Sequence, residues 1–130
     1  IKWLLDANSL GQEITLFDNI WFNPIYIPDF IDTLMKLFKC NNNGVFNIGV
    51  RGEGITKADF LEMIIMKFRL NNIRAIRSNY NKTMLLIAER PSNMTMSTKK
   101  FEDSFAFNLP SIDESVNRML TDYNNLNYHE

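Results

Sequence analysis

An α/β fold, a small mixed sheet with flanking helices that outweigh short strands, is what this sequence predicts. Three observations carry the expectation. "PDFIDTLMKLFK" and "TKADFLEMIIMKFRL" repeat apolar residues at helical spacing, while "EITLFDN" alternates as a half-buried strand does and "IRAIR" reads as another strand. Turn residues (Gly11, Pro24, Pro28, the Asn run at 41–43, Gly44) punctuate the chain between them, with no internal repeat and no long linker.

Taken in order, Ile1 to about Leu10 reads as a helix stopped by Gly11, which suits the left-handed position after a helix end. "EITLFDN" follows as a strand, with Ile14, Leu16 and Asp18 on one face and Thr15 and Phe17 on the other. Pro24 and Pro28 bracket an extended "IYI". Each proline ring crowds the residue before it, so Asn23 and Ile27 are held out of helix. Pro28 suits the first turn of the helix that follows, because its missing N–H is not needed there. That helix places Phe30, Ile31, Leu34, Met35, Leu37 and Phe38 on one broad face. Asp29 and Asp32 lie near its N-terminus and Lys36 and Lys39 near its C-terminus, each favoured by the dipole.

"GVFNIG" is predicted as a short buried strand between glycines. Thr56 and Asp59 make a capping-box-like start for the next helix, with Phe60, Leu61, Ile64, Ile65 and Phe68 inward. "IRAIR" is another strand, and "MLLIA" fits a strand or a buried loop equally. Ser97 caps a brief helix through Phe101. Ser111 and Glu114 form an S-x-x-E box opening the last helix, whose stripe is Val116, Met119, Leu120 and Tyr123. The tail after Asn124 is expected to fray.

Composition narrows the function. At 130 residues and 45% hydrophobic, the chain is one domain's worth and can bury a core. Its 14 basic and 15 acidic residues leave a net charge of -1, so no wide basic field is present to attract nucleic acid. Cys40 is the one cysteine, which excludes an internal disulfide and fits a reducing, cytoplasmic setting. No apolar run reaches the roughly 18–20 residues of a membrane span. The chain opens on Ile1 in mid-helix pattern, as a piece of a longer protein would.

Several chemistries lack their residues. Gly49, Gly52 and Gly54 in "GVRGEG" follow a predicted strand and precede a helix, but their spacing is not that of a dinucleotide-binding turn. Arg51 and Glu53 read there as solvated loop charges. His129 is the single histidine and Cys40 has no neighbouring ligand, so neither a metal site nor a Ser-His-Asp device is supported.

The order of "EITLFDN", "NPIYIPDF", "GVFNIG", "TKADFLEMI", "AERPSNMTMSTKKFEDSF" and "LPSIDESVNRML" resembles one family. It is similar to the C-terminal, substrate-binding part of extended short-chain dehydrogenase/reductases that make nucleotide-linked rhamnose. These are the dTDP-4-dehydrorhamnose reductases and the UDP-rhamnose synthases, or 3,5-epimerase/4-reductases. The resemblance covers nearly the whole chain, residues 1–130, and implies the C-terminal lobe of an extended Rossmann-type reductase whose cofactor domain lies outside it. The family's glycine motif and its Tyr-x-x-x-Lys pair lie upstream. Tyr26, Tyr80, Tyr123 and Tyr128 all lack a lysine four residues on.

The resemblance implies a nucleotide-diphosphate sugar as ligand, with NADP or NAD bound outside this chain. It also implies the cofactor domain and a second copy in a homodimer as partners. Arg90, in "AERP", falls where relatives hold the diphosphate, and Leu16 and Phe17 fall beside the nucleotide base. Many relatives carry an arginine near Pro24 or Ile25, and this chain does not. From the residues alone, Arg90 pairing with Glu62 or Glu89 at the surface is the plain alternative, and ordinary core packing is the alternative for Phe17. A regulatory or scaffold subunit of the same fold is the other functional expectation.

Overall fold

The computed structural model describes residues 1–80 and 91–127, which divide into two compact units. The first comprises Ile1–Phe22 and Ile55–Met94, the second Asn23–Gly54 and Thr95–Glu130.

In the first unit α1 (Lys2–Leu10) ends as its sequence predicts, at Gly11 with φ +62°. A side chain there would be strained, and its Cβ would lie 3.3 Å from the Asn72 amide. That amide donates to Asn8 O at 2.9 Å, so the turn is fastened as well as bent. Leu4 and Ala7 are buried, while Ile1, Trp3 and Leu10 stay exposed. β1 (Glu13–Phe17) pairs in parallel with β4 (Arg74–Ser78), in a register that sets Glu13 beside Arg74 and Phe17 beside Ser78. Parallel neighbours need a crossover, and α3 (Lys57–Lys67) lies within it. Thr56 caps α3 as predicted: its Oγ accepts from the Asp59 N–H at 3.0 Å and donates to the Asp59 carboxylate at 2.7 Å. Ala58 and Ile64 are the buried residues of that helix.

A second sheet was not visible in the sequence pattern. β2 (Trp21–Phe22) lies between β3 (Ile55–Thr56), antiparallel to it, and β5 (Asn93–Met94), parallel to it. Two-residue strands carry no periodicity to read. Phe22 stacks edge-on against Phe60 of α3 at 5.4 Å between centroids.

In the second unit α2 (Ile27–Leu37) begins at Ile27, one residue inside the segment expected to be extended, with Tyr26 as the extended N-cap. Pro28 still occupies the first turn, where no N–H is needed. Of the six apolar residues expected on one broad face, Phe30, Leu34 and Leu37 are half-buried. Asp29 and Thr33 are its buried residues, whereas Ile31, Met35 and Phe38 are exposed. The helix is rotated so that Asp29 meets α5 (Ile112–Asn127), which supplies Ser115 and Arg118 as partners.

"GVFNIG" is not a strand; residues 44–50 are irregular. Single hydrogen bonds fasten the segment in place of a ladder. Lys100 donates to Val45 O at 2.9 Å, and Asn47 donates to Ser97 O at 3.1 Å. A Cβ at Gly49 would stand 3.1 Å from Asn23 O, a close approach that glycine permits. Phe46 joins Phe101, Phe105 and Phe107 in a cluster of rings with centroids 4.7–6.4 Å apart. Phe101 is fully buried. It belongs to α4 (Lys99–Ser104), which starts after Thr98, not Ser97, and runs past Phe101. The Ser111 box on α5 forms in both directions: Ser111 N–H donates to Glu114 at 2.6 Å, and Glu114 N–H to Ser111 Oγ at 3.2 Å.

"MLLIA" lies outside the described residues. Among the described residues no helix is long and apolar enough to cross a membrane, and no group of His, Cys, Asp or Glu is placed to hold a metal ion.

Candidate functional site

Parallel strands all end on one edge, and in open α/β sheets ligands settle outside those carboxyl ends. β1 and β4 end together, delivering Phe17, Asp18 and Asn19 from one strand and Ser78, Asn79 and Tyr80 from the other. The edge is well tied. Asp18 N–H donates to Ser78 O at 3.1 Å, continuing the ladder one step. Asn19 then clasps the Tyr80 backbone on both sides, donating to its carbonyl at 3.0 Å and accepting from its N–H at 2.7 Å. The rings of Phe17 and Tyr80 meet edge to face, 5.5 Å apart at 87°.

The sequence-predicted residues divide here. Phe17 sits half-buried at this edge, one aromatic face of it committed to Tyr80. Leu16 is fully buried beneath it, so it shapes the edge by packing. Arg90 lies outside the described residues. Tyr80 and Asn19 were not singled out from the sequence. No local signal marks them, since they become neighbours only through the pairing of strands some sixty positions apart.

Beside this edge Arg77 gathers three carboxylates. Its Nη1 donates to Asp18 at 2.7 Å, its Nη2 to Asp59 at 2.7 Å, and its Nε to Glu62 at 2.7 Å, with a second contact from Nη2 to Glu62. The Thr56 hydroxyl and then Arg77 hold the Asp59 carboxyl below its usual range, and Arg77 does the same for Glu62. The guanidinium is correspondingly harder to deprotonate. Both Glu62 oxygens, one of the plain partners considered for Arg90, are engaged by Arg77.

The second unit has a polar cleft of about 350 Å³. Lys36, Arg51 and Arg118 line it, with Asp29, Asp32 and Glu114 as their counter-charges. Arg118 bridges Asp29 at 2.7 Å and Asp32 at 2.6 Å, and Arg51 reaches Glu114 at 3.3 Å. Arg51, expected as a solvated loop charge, is therefore an exposed ion-pair partner. Cations so matched leave little net field for an anion.

A dinucleotide cradle needs free backbone N–H groups at a glycine turn. The Gly49–Gly54 turn does not fit: Gly49 is packed against Asn23, and the Arg51 N–H donates to Pro110 O at 2.9 Å.

No protein-family model matches the chain, and no curated protein does. A solved structure does. It is the dTDP-4-dehydrorhamnose reductase of Bacillus anthracis in complex with NADP, superposing with a TM-score of 0.79 at 16% identity. The match covers 93% of this chain and 41% of that one. The chain has a reductase-like fold. At that identity the likeness shows the fold alone: a mixed α/β arrangement of small sheets and flanking helices, equivalent to part of a Rossmann-like reductase.

Proposed function

We propose that this chain is the nucleotide-sugar-binding lobe of an NAD(P)H-dependent reductase. Its substrate class is a dTDP- or UDP-linked 4-keto-6-deoxyhexose, which the intact enzyme carries to nucleotide-rhamnose. The observation that supports this most is the superposition of nearly the whole chain on part of a dTDP-4-dehydrorhamnose reductase. The order of motifs from "EITLFDN" to "LPSIDESV" supports it independently.

The chemistry divides accordingly. NAD(P)H supplies the hydride to the C4 ketone and is held by a domain outside this chain. This chain's part is to bind and orient. Phe17, steadied by Tyr80, offers an apolar wall at the carboxyl edge of β1 for the nucleotide base. Asn19 fixes the backbone from which the chain runs on, ten residues later, to Arg90. The planar guanidinium of Arg90 pairs with two oxygens of a diphosphate at once.

The test is calorimetric titration of UDP and of dTDP into the 130-residue protein, beside an NADPH-oxidation assay with a nucleotide-4-keto-6-deoxyglucose. Saturable binding of at least one diphosphate without NADPH consumption is expected. Failure of both to bind, or turnover of NADPH by this chain alone, overturns the reading.

A further inference from the structure

The loop that follows α2 carries a dipeptide able to modify itself. Asn43 precedes Gly44, the single Asn-Gly pair in the sequence. Both residues are exposed, in an irregular stretch. Gly44 has φ +146°, a conformation that residues with a side chain rarely adopt, so the fold itself asks for glycine there. Glycine in turn leaves its backbone nitrogen unscreened by a side chain, beside the Asn43 carboxamide.

The surroundings set Asn43 apart from the asparagines near it. Asn42 donates its carboxamide to Ser104 O at 2.8 Å, and Asn47 donates to Ser97 O at 3.1 Å. The Asn43 side chain has no such bond among the described residues. A cation stands next to the pair. A Cβ at Gly44 would lie 3.5 Å from Lys100 Nζ, which donates to Val45 O at 2.9 Å and sits 4.8 Å from the centroid of the Phe46 ring. A positive charge held that close favours the anion formed when the Gly44 amide loses its proton.

We propose that Asn43 is a site of spontaneous covalent modification, in which the Gly44 nitrogen closes on the Asn43 side chain with Lys100 promoting the step. Hydroxide takes the Gly44 amide proton, and the nitrogen attacks the carboxamide carbon of Asn43. The bond from that carbon to the side-chain nitrogen breaks, and ammonia leaves with a proton drawn from water, which restores the hydroxide. Water then opens the cyclic imide. Opening at the side-chain carbonyl gives aspartate; opening at the main-chain carbonyl gives isoaspartate, whose backbone runs on through the side-chain carbon. Nothing is oxidised or reduced, and each ammonia released is matched by a water consumed. Either product puts a carboxylate where a neutral amide stood. It competes for Lys100 with Val45 O and the Phe46 ring, the contacts that fasten this loop to α4. The modification belongs to the loop alone and stands whatever ligand the protein binds.

The experiment is a time course of the folded protein at neutral and mildly alkaline pH, read by mass spectrometry after trypsin. The tryptic peptide Cys40–Arg51 holds Asn41, Asn42, Asn43 and Asn47 together, and fragmentation tells them apart. Asn43 should be converted at least tenfold faster than Asn42 or Asn47, and faster as pH rises. The synthetic peptide Cys40–Arg51, which has the same dipeptide without Lys100, should react no faster than the folded protein. Lys100→Met, its fold checked by circular dichroism, should slow conversion at Asn43 several-fold and leave Asn42 and Asn47 as they were. Equal rates at the three asparagines, a free peptide tenfold faster than the folded chain, or a folded Lys100→Met protein converting at the wild-type rate each overturns the proposal.

Discussion

Arg118 of α5 donates to Asp29 of α2 at 2.7 Å, and this contact holds the two helices in register within their unit. Asp29 is buried and also accepts from the Ser115 hydroxyl at 2.5 Å. The same guanidinium nitrogen reaches the exposed Asp32 at 2.6 Å. The two carboxylates are not equal, because an ion pair in water gains little while a buried charge left alone costs its desolvation.

Arg118→Ala should therefore destabilise the fold by about 1–3 kcal/mol, mainly through the stranded Asp29. Asp32→Asn, which removes only the wet partner, should cost less than about 1 kcal/mol. Urea unfolding of both variants checks the order. Equal losses would place the energy in the exposed pair.

The Arg77 cluster makes stability depend on acid. Asp59 and Glu62 titrate below their ordinary values in the folded protein. The unfolded chain then binds more protons in that range, and stability rises with pH through it. The contribution is complete above the ordinary carboxylate range, about pH 4–5, and is lost as pH falls through the depressed values. Arg77→Gln should thus melt lower than wild type at pH 7, with the gap closing by about pH 2. A gap of constant size from pH 7 to pH 2 would assign the loss to packing.

Ser111 caps α5 through the Glu114 N–H. Ser111→Ala should cost about 1 kcal/mol, and Ser111→Asp should recover most of it, since either side-chain oxygen accepts that bond. Thermal unfolding of the pair measures the difference. A Ser111→Ala protein as stable as wild type would mean that water accepts from the Glu114 N–H instead.

Local chemistry made much of this fold legible. Gly11, Thr56 with Asp59, and Ser111 with Glu114 each fix a helix boundary through groups no more than a few residues apart, and the structure keeps all three. β1 was readable from alternation and β4 as a strand, but their pairing was not legible, because register is decided by contacts about sixty positions apart. The apolar content of "GVFNIG" suggests a ladder, but single bonds tie the segment down instead, Lys100 donating to Val45 O and the Asn47 side chain to Ser97 O. On α2 the apolar pattern was real, yet the buried side went to Asp29 and Thr33, since Arg118 and Ser115 compensate the charge. The candidate site divides the same way. Phe17 could be named from its strand, whereas Tyr80 and Asn19 join it only in three dimensions.

The most direct measurement is titration of a UDP- or dTDP-linked sugar into the wild-type protein and into Arg90→Ala, with a melting curve for each. A diphosphate grip removed should cost about 1.5–3 kcal/mol, or roughly ten- to hundredfold in affinity. Arg90→Lys should return charge without the planar fork and restore only part of it. The account predicts weaker binding at unchanged melting temperature. Unchanged affinity in a folded Arg90→Ala protein would contradict it.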